Sequence, residues 1–215
     1  MGREDRIVSF HESILTPAQV GVLRALGPIA KSSGFYLAGG TAVALRFSHR
    51  RSVDFDWFAP TFERPDALIA EIKTHGLLLE DAQVDTGTII GRINGVKISF
   101  FEYRYPLLDP LEFWPDYGID LASLRDLGAM KLLAIAQRGA RKDFVDVHEL
   151  LRQGTALDDM LKSFRAKFQA DQISVLRGLT YFDDAEAEPM PEMLNATDWS
   201  AVRRDVTRAV REVTS

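Results

Sequence analysis

The sequence contains no cysteine among its 215 residues, which excludes disulfides, thiolate metal sites and a cysteine nucleophile. No apolar run reaches the ~18 residues expected of a membrane-spanning helix, so we expect no membrane insertion. Residues 1–6 are mostly charged and are not followed by the apolar core of a signal peptide. These absences predict a cytoplasmic protein.

The absence of several common motifs limits which kinds of binding site the chain can form. The four histidines do not have the spacing of zinc ligands, and neither a GxxxxGK phosphate loop nor a GxGxxG dinucleotide motif is present. The net charge of -5 at pH 7 argues against a uniformly basic surface, so any contact with RNA must be local. With 46% hydrophobic and 27% charged residues, the composition is that of a folded, soluble chain.

A glycine pair follows a short apolar run. Residues 35–38 end at Gly39 and Gly40, and Thr41 then begins an Ala- and Leu-rich segment. This order predicts a strand, a turn and a helix, with Thr41 as the N-cap of the helix. Unpaired backbone N–H groups at such a helix start bind phosphate oxygens, and glycines let a ligand approach closely. The alternative is a tight turn that only needs positive φ angles.

Two aspartates follow on a run of β-branched and aromatic residues. Asp54 and Asp56 are two positions apart, so in a strand both side chains leave the same face. Val53, Phe55 and Trp57 would then face the core. Two carboxylates on one face repel each other, and a divalent cation relieves that repulsion. We therefore predict Mg²⁺ (or Mn²⁺) at this pair, with two solvated carboxylates as the alternative.

The remaining pattern predicts a small mixed sheet flanked by helices. A hairpin of residues 88–93 and 96–102 turns at Asn94-Gly95. Helices are predicted at residues 17–31, 66–74, 124–138, 142–152, 157–168, 174–178 and 199–213. The fold class is thus α/β (α+β). We expect an α/β core in residues 1–105 and a helical region in residues 106–215 that completes the active-site cleft.

The glycine pair and the aspartates together resemble the GG(S/T) and DxD motifs of the nucleotidyltransferase superfamily. Residues 37–42 (LAGGTA) and 51–56 (RSVDFD) most resemble the AbiEii/AbiGii abortive-infection toxins. Lys131 and Arg138, followed by residues 141–146 (RKDFVD), are also similar to motifs of this family. The resemblance implies the nucleotidyltransferase core fold, a nucleoside triphosphate substrate and a Mg²⁺-dependent (or Mn²⁺-dependent) transfer.

The resemblance also implies roles for single residues. Ser52 would contact nucleotide phosphates, Lys131 would neutralise triphosphate charge, and Asp143 would line the same cleft. Asp146 lies three positions after Asp143, on the same helix face, and would share its role. The alternative is that Asp146 pairs with Arg138 or Lys142.

A basic segment precedes the aspartates and contains Arg46, His49, Arg50 and Arg51. It suits the phosphates of a nucleotide or an RNA end, and we assign Arg51 to phosphate binding. A solvated turn is the alternative.

One motif position departs from the family pattern. Many nucleotidyltransferases place a third carboxylate on a later strand, and Ser99 stands at that position here. Glu102, at the end of the same strand, points to the opposite face by parity. A single-metal transfer, or Asp143 as a substitute, is therefore an alternative to two-metal catalysis.

The resemblance implies a toxin of a bacterial toxin–antitoxin or phage-defence system. It would transfer a nucleotidyl group from a metal-bound nucleoside triphosphate to an acceptor hydroxyl, with the tRNA 3′ end as the acceptor by family analogy. A cognate antitoxin from a neighbouring gene is the expected partner. The alternatives are a catalytically impaired nucleotide- or partner-binding module, nucleotidylation of a protein, and phosphoryl transfer.

Overall fold

The structure is a computed structural model that describes residues 9–215. The predicted absence of a signal segment concerns residues 1–6, which lie outside the described residues. Among the helices of the described part, none is both long and apolar enough to cross a membrane.

A mixed sheet has the strand order β3-β4-β5-β2-β1-β7-β6. Its strands are β1 (Tyr36–Ala38), β2 (Asp54–Ala59), β3 (Glu80–Asp85), β4 (Thr88–Ile93), β5 (Val96–Glu102), β6 (Glu112–Trp114) and β7 (Ile119–Leu121). β2 is parallel to β5 and antiparallel to β1. β4 and β5 form the predicted antiparallel hairpin, and the mixed sheet with its flanking helices confirms the predicted fold class.

The sequence does not predict three of these strands. β3 is exposed along its whole length, so its residues do not alternate between apolar and polar. β6 and β7 have only three residues each, which is too short for a periodic pattern. β7 nevertheless pairs in parallel with β1 and extends the sheet on that side.

The predicted helices form, with ends that differ by a few residues. The helices are α1 (Pro17–Ser32), α2 (Gly39–Phe47), α3 (Pro65–Thr74), α4 (Leu124–Arg138), α5 (Arg141–Arg152), α6 (Leu157–Phe168), α7 (Ile173–Thr180), α8 (Asp183–Glu186) and α9 (Trp199–Thr214). α1 begins with a capping box between Thr16 and Gln19 and continues through Pro28. The short helix α8 is not predicted by the sequence.

Two hydrophobic clusters make up the core. The first packs α1, α2 and α3 on the sheet and extends to Leu127, and the second joins the C-terminal helices from Ala129 onward. The domain division at residue 105 stays a prediction, although β6 and β7 of the sheet lie beyond it. α2 contacts both α4 and α5, so the start of α2 lies where the sheet meets the C-terminal helices.

Candidate active site

A cleft of about 530 Å³ opens between the sheet and helices α4 and α5. One wall of the cleft consists of alternate residues of β2 and β5. In the pairing of these two strands, Asp54 lies opposite Lys97 and Asp56 lies opposite Ser99. One side of α4 and the start of α5 form the other wall. The cleft therefore brings together groups that are far apart in the sequence.

The two strand carboxylates share the cleft face, as the spacing predicts. Asp54 and Asp56 are half-buried and line the cleft, whereas the alternate residues of β2 are buried in the core. Burial raises the pKa of Asp56, the Ser99 hydroxyl opposes the rise, and the charge of Asp54 adds to it. The prediction that Val53 faces the core is wrong, because Val53 precedes the strand and is 69% exposed.

This carboxylate pair fits a divalent cation. Burial and the charge of Asp54 both disfavour ionised Asp56, and a bound cation would offset both effects. Within residues 9–215, no group of three or more His, Asp or Glu side chains is arranged to hold a metal ion. The other ligands of such an ion would then be substrate phosphates and water, as is usual for Mg²⁺.

The glycine pair begins α2 directly, without a separate turn. The N-cap residue Ala38 provides no side-chain cap, so the helix start lies open beside Asp56. Gly39 has a φ of +69°, and a Cβ there would stand 2.9 Å from Asp56 Oδ2. A Cβ on Gly40 would stand 2.5 Å from Arg50 Nη2. The missing side chains thus make room for the protein's own Asp56 and Arg50.

Thr41 is not the N-cap of α2, which corrects the sequence-based prediction. Its side chain is buried, and its hydroxyl donates to the carbonyl oxygen of Asp54 and shares a 2.7 Å hydrogen bond with the Ser52 hydroxyl. Ser52 lines the cleft, whereas Thr41 is not among its lining residues. Thr41 therefore supports Ser52 and the start of β2 from inside the fold.

A buried ion network joins α4 to α5. The Lys131 ammonium group lies 2.8 Å from Asp143 Oδ1 and 2.7 Å from Asp146 Oδ2. Arg138 donates to Asp143 from Nε at 2.8 Å and from Nη2 at 3.0 Å. Burial alone would lower the pKa of Lys131, but Asp146 and Asp143 outweigh it and raise that pKa. Burial acts to raise the pKa of Asp143, and Lys131 and Arg138 lower it.

His49 and Arg50, which follow α2, belong to the same ion network. Arg50 donates to Asp146 from Nε at 2.7 Å and from Nη2 at 2.9 Å, and His49 Nε2 lies 2.8 Å from Asp146 Oδ1. Burial acts to raise the pKa of Asp146, yet Arg50 and Lys131 hold it well below its ordinary value. Apart from Arg138, the side chains of this network are buried, so the network fixes α5 against both α4 and the segment after α2.

These contacts bear on the roles that the sequence assigns to the network. Lys131 lines the cleft, but two buried carboxylates already compensate its charge. Asp143 and Asp146 are fully buried and are not among the residues that line the cleft. The alternative in which Asp146 pairs with Arg138 or Lys142 is wrong, because its partners lie elsewhere.

The predicted basic segment is not a solvated turn. Arg46 is nearly buried and forms an ion pair with Glu112 of β6. His49 and Arg50 are buried in the ion network. The alternative of a solvated turn is therefore wrong for these three residues, and of them only Arg50 lines the cleft.

Arg51 is held by a segment from the C-terminal half. Its backbone N–H donates to the Glu192 carbonyl at 2.8 Å, and its Nε donates to Glu192 Oε1 at 2.9 Å. The Leu194 N–H donates to the carbonyl of His49 at 2.9 Å, which fixes the same segment beside the cleft. The cleft is lined by Arg51, Pro191 and Glu192. A phosphate bound to Arg51 would therefore share the guanidinium group with the Glu192 carboxylate.

Sequence reasoning missed two cations of the cleft. Lys97 of β5 and Lys142 of α5 are exposed and line it, and among the described residues no carboxylate lies within an ion-pair distance of either. The charge of Lys142 acts on Asp56 and lowers its pKa. Parity with Ser99 along β5 would have placed Lys97 in the cleft, whereas no local sequence pattern placed Lys142 there.

Comparison with known proteins places this arrangement in context. A model of the family described as "Nucleotidyl transferase AbiEii toxin, Type IV TA system" matches residues 99–213, which include the ion-network helices α4 and α5. The uncharacterized protein aq_aa25 of Aquifex aeolicus (strain VF5) is 39% identical over 183 residues, which are 83% of this chain and 87% of the relative.

Two solved structures share the fold. JHP933 from Helicobacter pylori has a TM-score of 0.61 at 17% identity and covers 95% of this chain and 93% of its own. MenT4, a nucleotidyltransferase toxin from Mycobacterium tuberculosis H37Rv, has a TM-score of 0.56 at 15% identity and covers 92% of this chain and 83% of its own.

Proposed function

The chain belongs to the AbiEii family of nucleotidyl transferase toxins of type IV toxin–antitoxin systems, and from this premise we propose a metal-dependent transfer from a nucleoside triphosphate. The observation that carries the proposal is the half-buried pair Asp54 and Asp56 beside the uncapped start of α2. A helix start attracts phosphate, and paired carboxylates attract the cation that accompanies a triphosphate. Both features lie in one cleft.

Asp54 and Asp56 would hold Mg²⁺ or Mn²⁺. The ion, when bound, would neutralise charge on the triphosphate. Gly39, Gly40 and Ser52 would bind phosphate oxygens through backbone N–H groups and a hydroxyl.

The cationic side chains complete the phosphate site. Arg51 and Lys142 would add charge-assisted hydrogen bonds to the phosphates. Lys131, Asp143 and Asp146 would act through position, because their network holds α5 and hence Lys142 at the cleft.

The transfer forms a bond from an acceptor hydroxyl oxygen to the α-phosphorus and breaks the bond to the β-phosphate, so pyrophosphate leaves. The proton acceptor would be water rather than Asp56, because a cation held by Asp56 offsets the burial that raises its pKa. Asp143 does not fit that role, since Lys131 and Arg138 occupy its carboxylate and lower its pKa.

The acceptor and the biological setting are proposed from the family. A hydroxyl at the 3′ end of tRNA suits the chemistry, and a cognate antitoxin from a neighbouring gene would restrain the activity in the cytoplasm, as part of toxin–antitoxin or phage defence. A nucleotide-sequestering module is the competing function, and Ser99 at the place of a third carboxylate is the observation that favours it.

Incubation with each α-³²P-labelled nucleoside triphosphate, Mg²⁺ or Mn²⁺, and total RNA tests the proposal. We expect label on small RNA, and Lys142→Ala should reduce it by at least ~10²-fold. Label on protein would assign protein nucleotidylation, and label only from γ-³²P substrates would assign phosphoryl transfer. Triphosphate binding with no label moved under any condition would instead establish the sequestering module.

A further inference from the structure

The cleft changes character along the strands. Asp54 and Asp56 lie toward the start of β2, and the next residue on the same face is Phe58. On β5 the same face carries Ser99 and then Phe101. The cleft is therefore charged where the strands begin and aromatic where they end.

The aromatic end is a formed cluster. The ring centroids of Phe58 and Phe101 are 5.5 Å apart at 34°, and Tyr103 packs edge-on against Phe58 at 5.2 Å. Leu127 and Met130 of α4 line the cleft with them. Phe58 and Phe101 are only half-buried, so ring surface remains open to the cleft.

The charged end sets the direction of a bound triphosphate. Ser52 precedes β2 and the start of α2 lies beside Asp56, so the phosphates would bind near the beginning of this strand. Two residues of strand advance by about 7 Å, so Phe58 lies about the length of a sugar beyond Asp56. A flat, apolar group of the substrate would lie there.

We propose that Phe58 and Phe101 stack against the nucleobase of the nucleoside triphosphate; this inference rests on the proposed function. Aromatic side chains bind bases of any sequence because every base presents a π-face. Apolar Leu127 and Met130 on the opposite wall would exclude water from the stacked base.

Calorimetric titration of the protein with Mg²⁺ and either ATP or ribose 5-triphosphate tests this inference. ATP should bind at least about fivefold more tightly, because ribose 5-triphosphate has no base to stack. Phe58→Leu and Phe101→Leu should weaken ATP binding by the same factor and leave ribose 5-triphosphate binding unchanged. Phe113→Leu, which removes an exposed ring of β6 outside the cleft, is the matched control.

Equal affinity of the unsubstituted protein for ATP and ribose 5-triphosphate would overturn the stacking while leaving the proposed function in place. Failure of both ligands to bind would refute the proposed function and the inference with it. Leucine variants that lose affinity for a short single-stranded RNA but keep affinity for ATP would assign the aromatic end to the acceptor, which also overturns the inference.

Discussion

Ser99 lies opposite Asp56 in the parallel pairing of β5 with β2, where its hydroxyl acts on the Asp56 carboxyl. This is the place where many nucleotidyltransferases carry a third carboxylate. The hydroxyl lowers the pKa of Asp56 but supplies no charge, so a cation here would have only two carboxylate ligands from the described residues.

Ser99→Asp should therefore strengthen cation binding. A third carboxylate beside Asp56 adds a ligand for Mn²⁺, and without the cation it adds repulsion at a buried position. We expect a lower melting temperature than the unsubstituted protein without Mn²⁺ and a larger Mn²⁺-induced rise. Ser99→Ala is the control, and equal Mn²⁺ affinity of the two variants would contradict this geometry.

The same substitution at Lys131 and at Lys142 should change stability by very different amounts. Lys131→Met leaves two buried carboxylates short of a cation and should destabilise the protein by about 3–5 kcal/mol. Lys142→Met removes an exposed cation and should change stability by less than about 0.5 kcal/mol while weakening triphosphate binding. Urea unfolding and ATP titration measure both. A stable Lys131→Met protein would show that the network is not structural.

Gly40→Ala should destabilise the fold although it adds only a methyl group. The new Cβ would stand 2.5 Å from Arg50 Nη2, so Arg50 must shift away from Asp146. A cost of about 1–3 kcal/mol is expected from such overpacking. Gly21→Ala is the matched control, since nothing lies within 4 Å of its Cβ and helix α1 should gain up to about 1 kcal/mol. The same sign for both variants would be inconsistent with the packing of Arg50.

Acid should remove the stabilisation supplied by the ion network. The pKa values of Asp143 and Asp146 are lowered in the folded state, so their contribution is complete above the ordinary value of 3.8 and is lost as the pH falls below it. Urea unfolding between pH 5 and pH 2 measures this loss. A free energy of unfolding that stays constant below pH 3.8 would be evidence against the network.

Local patterns predicted strand β2 because the relevant information lies within a few neighbouring residues. The spacing of Asp54 and Asp56 fixes their common face, and Asn94-Gly95 fixes the hairpin. The ion network was not predictable in this way, since Arg50 and Asp146 are 96 positions apart and no periodicity joins them. The role of Thr41 was not predictable from its neighbours either. They are typical of an N-cap, but the Thr41 hydroxyl donates a hydrogen bond to the Asp54 carbonyl of β2.

Asp56→Asn should stabilise the protein without cation, by an amount that depends on pH. Burial and the charge of Asp54 raise the pKa of Asp56 above 3.8, so its ionised form is disfavoured in the folded state and costs stability at neutral pH. The uncharged amide avoids this cost, and the difference in the free energy of unfolding between variant and unsubstituted protein should be largest near pH 7. It should shrink as the pH falls and Asp56 becomes protonated.

With Mg²⁺ and ATP present at pH 7 the order of stability should reverse, because only the unsubstituted protein gains from the bound cation. Urea unfolding from pH 7 to pH 4, with Asp85→Asn as an exposed control, measures the difference. A difference that does not change with pH would mean that Asp56 is not held in a raised-pKa site.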